Sequence, residues 1–250
     1  MIQCTSMEKT EIIILAAGKG TRMESELPKC LVSIKGIPMI ERLLSGIEKS
    51  LVNKPLIVVG HKAEEVEKYL AGKARFVRQL EQKGTAHAAQ TALQALLPTT
   101  EHVIILYADH PFVSADTIEK LISELSQKTV AIAVTDAADF GGWKSLFRHW
   151  GRIVYSKDGS IDRITEYKDA DDSVRALSKV NPGFYAFNAV WLASTLEKVK
   201  PINAQGEYYL TDVIKMAREE NLEIGEVVIE PFEAMGVNSK SEVEYAESLL

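Results

Sequence analysis

The stretch Ile12-Ile13-Ile14-Leu15-Ala16-Ala17-Gly18-Lys19-Gly20-Thr21-Arg22-Met23, followed by Leu27-Pro28-Lys29, decides the fold. The apolar run from Ile12 to Ala17 reads as a buried strand, and it empties into a glycine-spaced basic loop. Gly18 and Gly20 permit backbone angles and close approaches that a Cβ would block. Successive amide N–H groups in such a turn form a nest for anionic oxygens. Arg22 and Lys29 add two positive charges beside it. The spacing is not a dinucleotide fingerprint, because Met23 stands where the third glycine would be. It is not a Walker loop either. A phosphate site at a strand end is the expectation.

Outward from this loop, apolar strands alternate with amphipathic helices. Residues 55–59, 74–78, 102–107 and 129–135 read as strands, and residues 40–51, 63–71, 85–97 and 114–127 show helical spacing. Ser114 is placed to cap its helix. The alternation predicts parallel strands joined by crossover helices. Ligands in such sheets gather beyond the carboxyl ends of the strands. The glycine loop and Asp109, which follows the strand at 102–107, share that edge.

The second half changes character. Residues 153–155 and 161–164 form an expected hairpin turning on Asp158-Gly159. Residues 180–187 read as one strand, 208–219 as a helix with Leu210, Val213, Ile214 and Ala217 on one stripe, and 224–230 as the last strand. Val243, Ala246 and Leu250 are expected on one side of a terminal helix. Neither a repeat nor a linker divides the sequence. The expected fold class is α/β: a Rossmann-like mixed, mainly parallel sheet flanked by helices, with a smaller β-rich lobe. Residues 1–250 are read as one domain, with 1–10 an N-terminal extension.

With 250 residues, 46% of them hydrophobic, the chain can bury a substantial core. Its net charge of −6 argues against general affinity for nucleic acid or acidic membranes, although local cations suffice for phosphate. Cys4 and Cys30 are its two cysteines, too few for a disulfide framework or a cysteine-ligated zinc site. No apolar run spans a bilayer, and residues 1–9 lack the apolar core of a secretory signal. A cytoplasmic location is the expectation. His61, His87, His102, His110 and His149 show no metal-ligand spacing. No G-x-S-x-G elbow supports a Ser/His/Asp hydrolase.

The opening motif with Pro28-Lys29 resembles the sugar-1-phosphate nucleotidyltransferases, most closely the pyrophosphorylase part of N-acetylglucosamine-1-phosphate uridylyltransferase. Further blocks recur in order: Gln79 with Glu81–Ala88, Tyr107-Ala108-Asp109, Gly151-Arg152-Ile153, Glu166–Ala170, Asn181, Asn203–Tyr209 and Gly236-Val237-Asn238. The resemblance covers nearly the whole chain. It implies Mg2+-dependent transfer of a nucleotidyl group from UTP, or another pyrimidine triphosphate, to a sugar 1-phosphate. The expected product is UDP-N-acetylglucosamine, with pyrophosphate released.

Such a reaction joins two polyanions and needs no covalent protein nucleophile, so alignment and charge neutralisation carry it. The resemblance assigns that work to Arg22, Lys29 and Asp109. It gives the nucleotide to Leu15, Ala16, Ala17, Gly18, Lys29, Gln79, Gly84, Thr85, Tyr107, Ala108 and Asp109. Gly151, Glu166 and Asn181 fall to the sugar, and Asp109 and Asn238 to Mg2+, a hard cation suited to oxygen ligands. A Gln79 amide complements uracil or, flipped, cytosine. Thr85 is also expected to cap the helix that follows it. Residue types alone leave solvated cations and turn-capping polar groups open.

The chain departs from the family pattern at five places. Ala86 and Ala108 replace glycines, Pro182 replaces a threonine, Trp150 precedes Gly151, and residues 140–148 form an insertion before the sugar segment. The three tryptophans, Trp143, Trp150 and Trp191, are expected to pack. No left-handed β-helix acetyltransferase segment, and so no acetyl transfer, is expected. Two rivals remain at this stage: another pyrimidine nucleotide or acceptor, and a nucleotide-sugar-binding regulator without turnover. The sequence leaves the oligomeric state open.

Overall fold

The computed structural model describes residues 7–250. Cys4 and most of the expected extension therefore lie outside the described residues. Thr10 belongs to the first strand, paired with His102, so the expected extension of residues 1–10 is one residue too long.

In chain order the strands are β1 (Thr10–Ala16), β2 (Ser33–Ile34), β3 (Ile37–Pro38), β4 (Leu56–Val59), β5 (Arg75–Arg78), β6 (His102–Tyr107), β7 (Val130–Asp136), β8 (Arg152–Tyr155), β9 (Ile161–Thr165), β10 (Lys179–Val180), β11 (Tyr185–Asn188) and β12 (Ile224–Val228). The main sheet runs β5-β4-β1-β6-β11-β7, with β12 also paired to β7. All of these are parallel except β11, which is antiparallel to β6 and β7. The mixed, mainly parallel α/β class expected from the alternation is the observed one. The end of β7 pairs with β10, and β10, β8 and β9 form an antiparallel lobe.

Side chains along β1 alternate between two helix layers because a strand has a period of two. Ile12 and Ile14 pack with Ile40, Leu43, Ile118 and Leu121, whereas Ile13 and Leu15 pack with Ala89, Ala92, Leu192 and Val213. Burial on both faces explains why the strand reads as a continuous apolar run. On the second face the helix Thr85–Leu93 buries only Ala86, Ala88, Ala89 and Ala92. Small side chains let it close on the sheet, at the C-terminal edge where the glycine loop emerges.

The Ser114 cap is present: its hydroxyl accepts from Thr117 N at 3.2 Å. The hairpin turn at Asp158-Gly159 is present too, with the Asp158 carboxylate accepting from Ser160 N at 3.0 Å. Four expectations fail for tertiary reasons. Residues 180–187 are two strands, because Pro182 lacks an amide donor and Gly183 turns at φ +86°, with Asn181 Oδ1 accepting from its N–H at 3.0 Å. This break lets the chain leave the lobe and enter the main sheet.

The helix expected at 208–219 begins at Asp212. Its intended first turn is used elsewhere: Tyr208 N donates to Lys83 O at 2.8 Å, and Tyr208 O accepts from Ala86 N at 2.9 Å. Thr85 does not cap its own helix, whose N-cap is Gly84. Its hydroxyl instead accepts from Leu210 N at 2.9 Å. Leu250 lies beyond the terminal helix Lys240–Ser248 and is 49% exposed, so it does not join Ala246 in the core.

Candidate functional site

The glycine loop, the β6 end and the turn before the terminal helix converge on one cationic corner. Gly20 adopts φ +59°, and a Cβ there would lie 2.6 Å from Lys29 Cβ, so the loop passes directly over the lysine stem. Lys29 Nζ is ion-paired to Asp109 Oδ2 and donates to Asn238 Oδ1 at 2.8 Å. Arg22 Nη2 reaches the same Asn238 oxygen at 3.3 Å. Asn238 is held from both sides. Val237 N donates to Asp109 O at 2.8 Å, and Asn238 N donates to Glu242 Oε2 at 2.5 Å.

Burial works to raise the Asp109 carboxyl, but the Lys29 ammonium, His110 and hydrogen bonds together hold it below the ordinary carboxylate range. It therefore stands ionised against the lysine. His110 packs edge-on against Phe184, and its Nδ1 lies 2.9 Å from Ala234 O. Burial keeps its imidazole below the usual value, against the opposing pull of Asp109.

Two cavities flank this corner. The first, about 300 Å³, is lined by Leu15, Ala16, Ala17, Gly18 and Lys29 on one side and by Gln79, Gly84, Thr85, Tyr107, Ala108 and Asp109 on the other. Every residue expected to hold the nucleotide faces this one space. Cys30, Gln82, Ala88 and Glu207 also line it.

The second cavity, about 310 Å³, holds Gly151, Glu166 and Asn181, together with Trp150, Pro182 and Tyr209. Thr85, Tyr107, Asp109 and Glu207 line both spaces, so they form a shared wall. Burial pushes the Glu166 carboxyl up, reinforced by Asp169 and Asp212 and opposed by the Thr211 hydroxyl that donates to it at 3.1 Å. The Asn181 amide is partly committed: its Nδ2 donates to Tyr185 Oη at 2.7 Å. Trp150 both packs on Phe147, at 4.5 Å between ring centroids, and faces this cavity.

Residues 12–184 match the MobA-like NTP transferase domain, a span that runs from β1 through the second cavity's Asn181 and Pro182. The chain belongs to this NTP transferase family. Among curated relatives, the bifunctional protein GlmU of Streptococcus gordonii is 40% identical over 242 residues, 95% of this chain and 51% of that protein. GlmU of Caldicellulosiruptor saccharolyticus is 38% identical over 249 residues, 97% of this chain and 52% of that protein. The chain thus spans about half the length of the curated relatives it matches. Two solved structures share the fold. A nucleotidyl transferase from Methanothermobacter superposes with a TM-score of 0.63 at 19% identity, covering 96% of this chain and 97% of that one. The 4-diphosphocytidyl-2C-methyl-D-erythritol synthase of Anaerococcus prevotii gives 0.66 at 17% identity, covering 97% and 98%.

As an NTP transferase the chain is of the nucleotidyltransferase class, and its cationic corner has the donors that a hard divalent ion takes. Asp109 and Asn238 bring one charged and one neutral oxygen to a single point, at present bridged by Lys29 Nζ. An ion that keeps several waters and bridges phosphates needs few protein ligands. Among the described residues no group of three or more His, Cys, Asp or Glu side chains forms an all-protein cage. No helix among them is long and apolar enough to cross a membrane.

The sequence gives no role to three residues in or behind these walls. Glu207 lies inside the matched Asn203–Tyr209 block, so its position was visible although its place between the cavities was not. His87 stands 2.9 Å from Gln79 Nε2. Arg152 is 1% exposed and donates to the carbonyls of Trp150, Arg148 and Arg175 at 2.5, 2.8 and 3.2 Å. It ties the inserted 3₁₀ segment Gly142–His149 to the wall of the second cavity.

Proposed function

We propose that this nucleotidyltransferase moves a uridylyl group from UTP to an N-acetylated amino-sugar 1-phosphate, giving UDP-N-acetylglucosamine and pyrophosphate. One observation carries the reading: two cavities of similar size share a wall at Asp109, and the Lys29 ammonium, ion-paired to Asp109, lines the first of them. Such a joint suits a triphosphate and a sugar phosphate whose reacting oxygen and phosphorus must approach against charge repulsion.

In this scheme the glycine-loop amides and Arg22 bind the triphosphate. Lys29 neutralises charge on both reactants as the sugar phosphate oxygen attacks the α-phosphorus in line. Asp109 and Asn238 would hold Mg2+, which supplies further positive charge to the phosphates. Asp109 also orients Lys29. Gln79 meets the pyrimidine, and Gly151, Glu166 and Asn181 receive the sugar. Residues 1–250 act as one unit in this reading, and a cytoplasmic location fits a reaction between soluble phosphates.

The GlmU relatives support the uridylyl assignment, each over about half its own length. Pyrophosphate release across UTP, CTP and dTTP, each paired with N-acetylglucosamine, glucose and N-acetylgalactosamine 1-phosphates, tests it. UTP with N-acetylglucosamine 1-phosphate gives the highest kcat/KM. Turnover with CTP or dTTP but none with UTP overturns the assignment.

A further inference from the structure

Asp109 and His110 follow β6, and both reach across to the turn that leads into the terminal helix. Asp109 O accepts from Val237 N at 2.8 Å. His110 Nδ1 lies 2.9 Å from Ala234 O, the last carbonyl of the short helix Pro231–Ala234. A backbone carbonyl only accepts, so Nδ1 carries a hydrogen and donates it, whether the ring holds one proton or two. A carbonyl at a helix end has no partner within the helix, and no other described group donates to this one. The imidazole itself is 7% exposed, edge-on to Phe184 at 5.0 Å and tilted against Trp150 at 5.5 Å between ring centroids. It also lies against the backbone of the turn: a Cβ on Gly236 would stand 2.9 Å from His110 Nε2 and 3.3 Å from Trp150 Cζ2. Two bonds and a packed ring therefore fix residues 234–237, immediately before Asn238.

We propose that His110 is a positioning residue for Asn238: its bond to Ala234 O holds the turn so that the Asn238 oxygen stands beside the Asp109 carboxylate, where both can take one divalent ion. The role rests on the reading that Asp109 and Asn238 hold Mg2+. The two oxygens belong to distant segments of the chain. Lys29 and Arg22 both bond the Asn238 oxygen from the loop after β1, so the side chain can follow that loop unless its backbone is held. His110 supplies such a hold from the same dipeptide that carries Asp109. One element thus sets the spacing of both oxygens. A hydrogen bond that orients a metal ligand is typically worth about 10–100-fold in metal affinity.

Dissociation constants for UTP, measured by calorimetry on the full chain with excess Mg2+ and again in EDTA, test the idea, because their ratio reads what the metal adds. In the wild type Mg2+ tightens UTP binding. His110→Leu removes the donor, and the tightening shrinks by about tenfold or more. The constant in EDTA stays at the wild-type value, because His110 does not line the first cavity. His110→Asn carries an amide N–H on the same carbon that bears Nδ1 and restores the tightening. Gly236→Ala drives a methyl group into the ring and loses the tightening as the leucine variant does. Equal weakening with and without Mg2+ in His110→Leu, the mark of a structural role alone, leaves the ratio unchanged and overturns the proposal. So does a ratio in His110→Asn that falls as far as the leucine variant's. Should His110→Leu not fold, an unchanged ratio in Gly236→Ala overturns it. A wild type whose UTP affinity does not respond to Mg2+ defeats the metal reading itself, which separates that failure from this one.

Discussion

Lys29 Nζ and Asn238 Oδ1 stand 2.8 Å apart across 209 positions of sequence, joining the loop after β1 to the turn before the terminal helix. With Asp109 on the same ammonium, three separate parts of the chain meet at one charge. Of the three, only Asp109 follows closely on a strand, and the bond from Val237 N to Asp109 O ties the turn that carries Asn238 to that strand end.

Lys29→Ala removes that charge in the first cavity, beside the wall shared with the second. Losing one preorganised donor to a transition state costs roughly 3–4 kcal/mol, so kcat falls about 10²–10³-fold. Circular dichroism stays native, because the lysine stem packs at the rim and not in either helix layer. Asp109→Asn, which frees Lys29 from its partner, lowers kcat by a similar factor. Wild-type rates in both variants would remove the corner from the chemistry.

Glu166→Gln separates binding from stability. Burial raises the Glu166 carboxyl, so the native state prefers its protonated form. Stability from that preference is full below the unfolded carboxylate value and is lost as pH rises through the raised native one. At pH 7, above the unfolded carboxylate value, that stability is diminished, and the neutral glutamine escapes the loss. The variant melts higher at pH 7, by about 2–4 °C for each kcal/mol recovered. Its advantage shrinks as pH falls toward about 4. Meanwhile its KM for the sugar phosphate rises. A melting temperature below wild type at pH 7 contradicts the burial argument.

Local chemistry made much of the fold legible. Ser114 announced its helix because a cap is a contact within one turn, and β1 announced a two-sided parallel sheet because burial on both faces leaves no polar position from Ile12 to Ala16. What failed was set by partners far along the chain. The helix at 208 loses its first turn to Lys83 and Ala86, and Thr85 caps nothing because Leu210 takes its hydroxyl. Pro182-Gly183 did signal a break, but the apolar residues on either side outweighed it. For the candidate site, a motif can name Gln79 or Glu166. It cannot say that His87 lies against the first or that Thr211 bonds the second.

Cys30 follows Lys29 and lines the first cavity, yet it is 3% exposed, and burial pushes its thiol up to about 12. The thiolate is the reactive form, so the native protein at pH 8 leaves Cys30 unalkylated by iodoacetamide over an hour. Unfolding in guanidinium exposes it to full modification. Peptide mass spectrometry distinguishes it from Cys4. Rapid native labelling at Cys30 would mean that the loop opens far more readily than its packing allows.

Arg152 offers the sharpest test of the lobe. Its guanidinium is buried with no carboxylate partner among the described residues, bonded to three main-chain carbonyls and lying 4.7 Å over the Phe140 ring and 5.3 Å over Tyr167. Burial lowers its proton affinity, but a guanidinium stays charged in any accessible pH range. Arg152→Met keeps the stem's volume and leaves those carbonyls without their donors, at about 1–3 kcal/mol for each that water cannot reach. Denaturant unfolding reads a loss of about 2–4 kcal/mol in total. Because the freed carbonyls include that of Trp150, beside Gly151, the variant raises KM for the sugar phosphate severalfold. KM for the nucleotide stays within twofold, since no bond of Arg152 reaches the first cavity. Equal damage to both constants would show that the lobe and the nucleotide cavity move as one body.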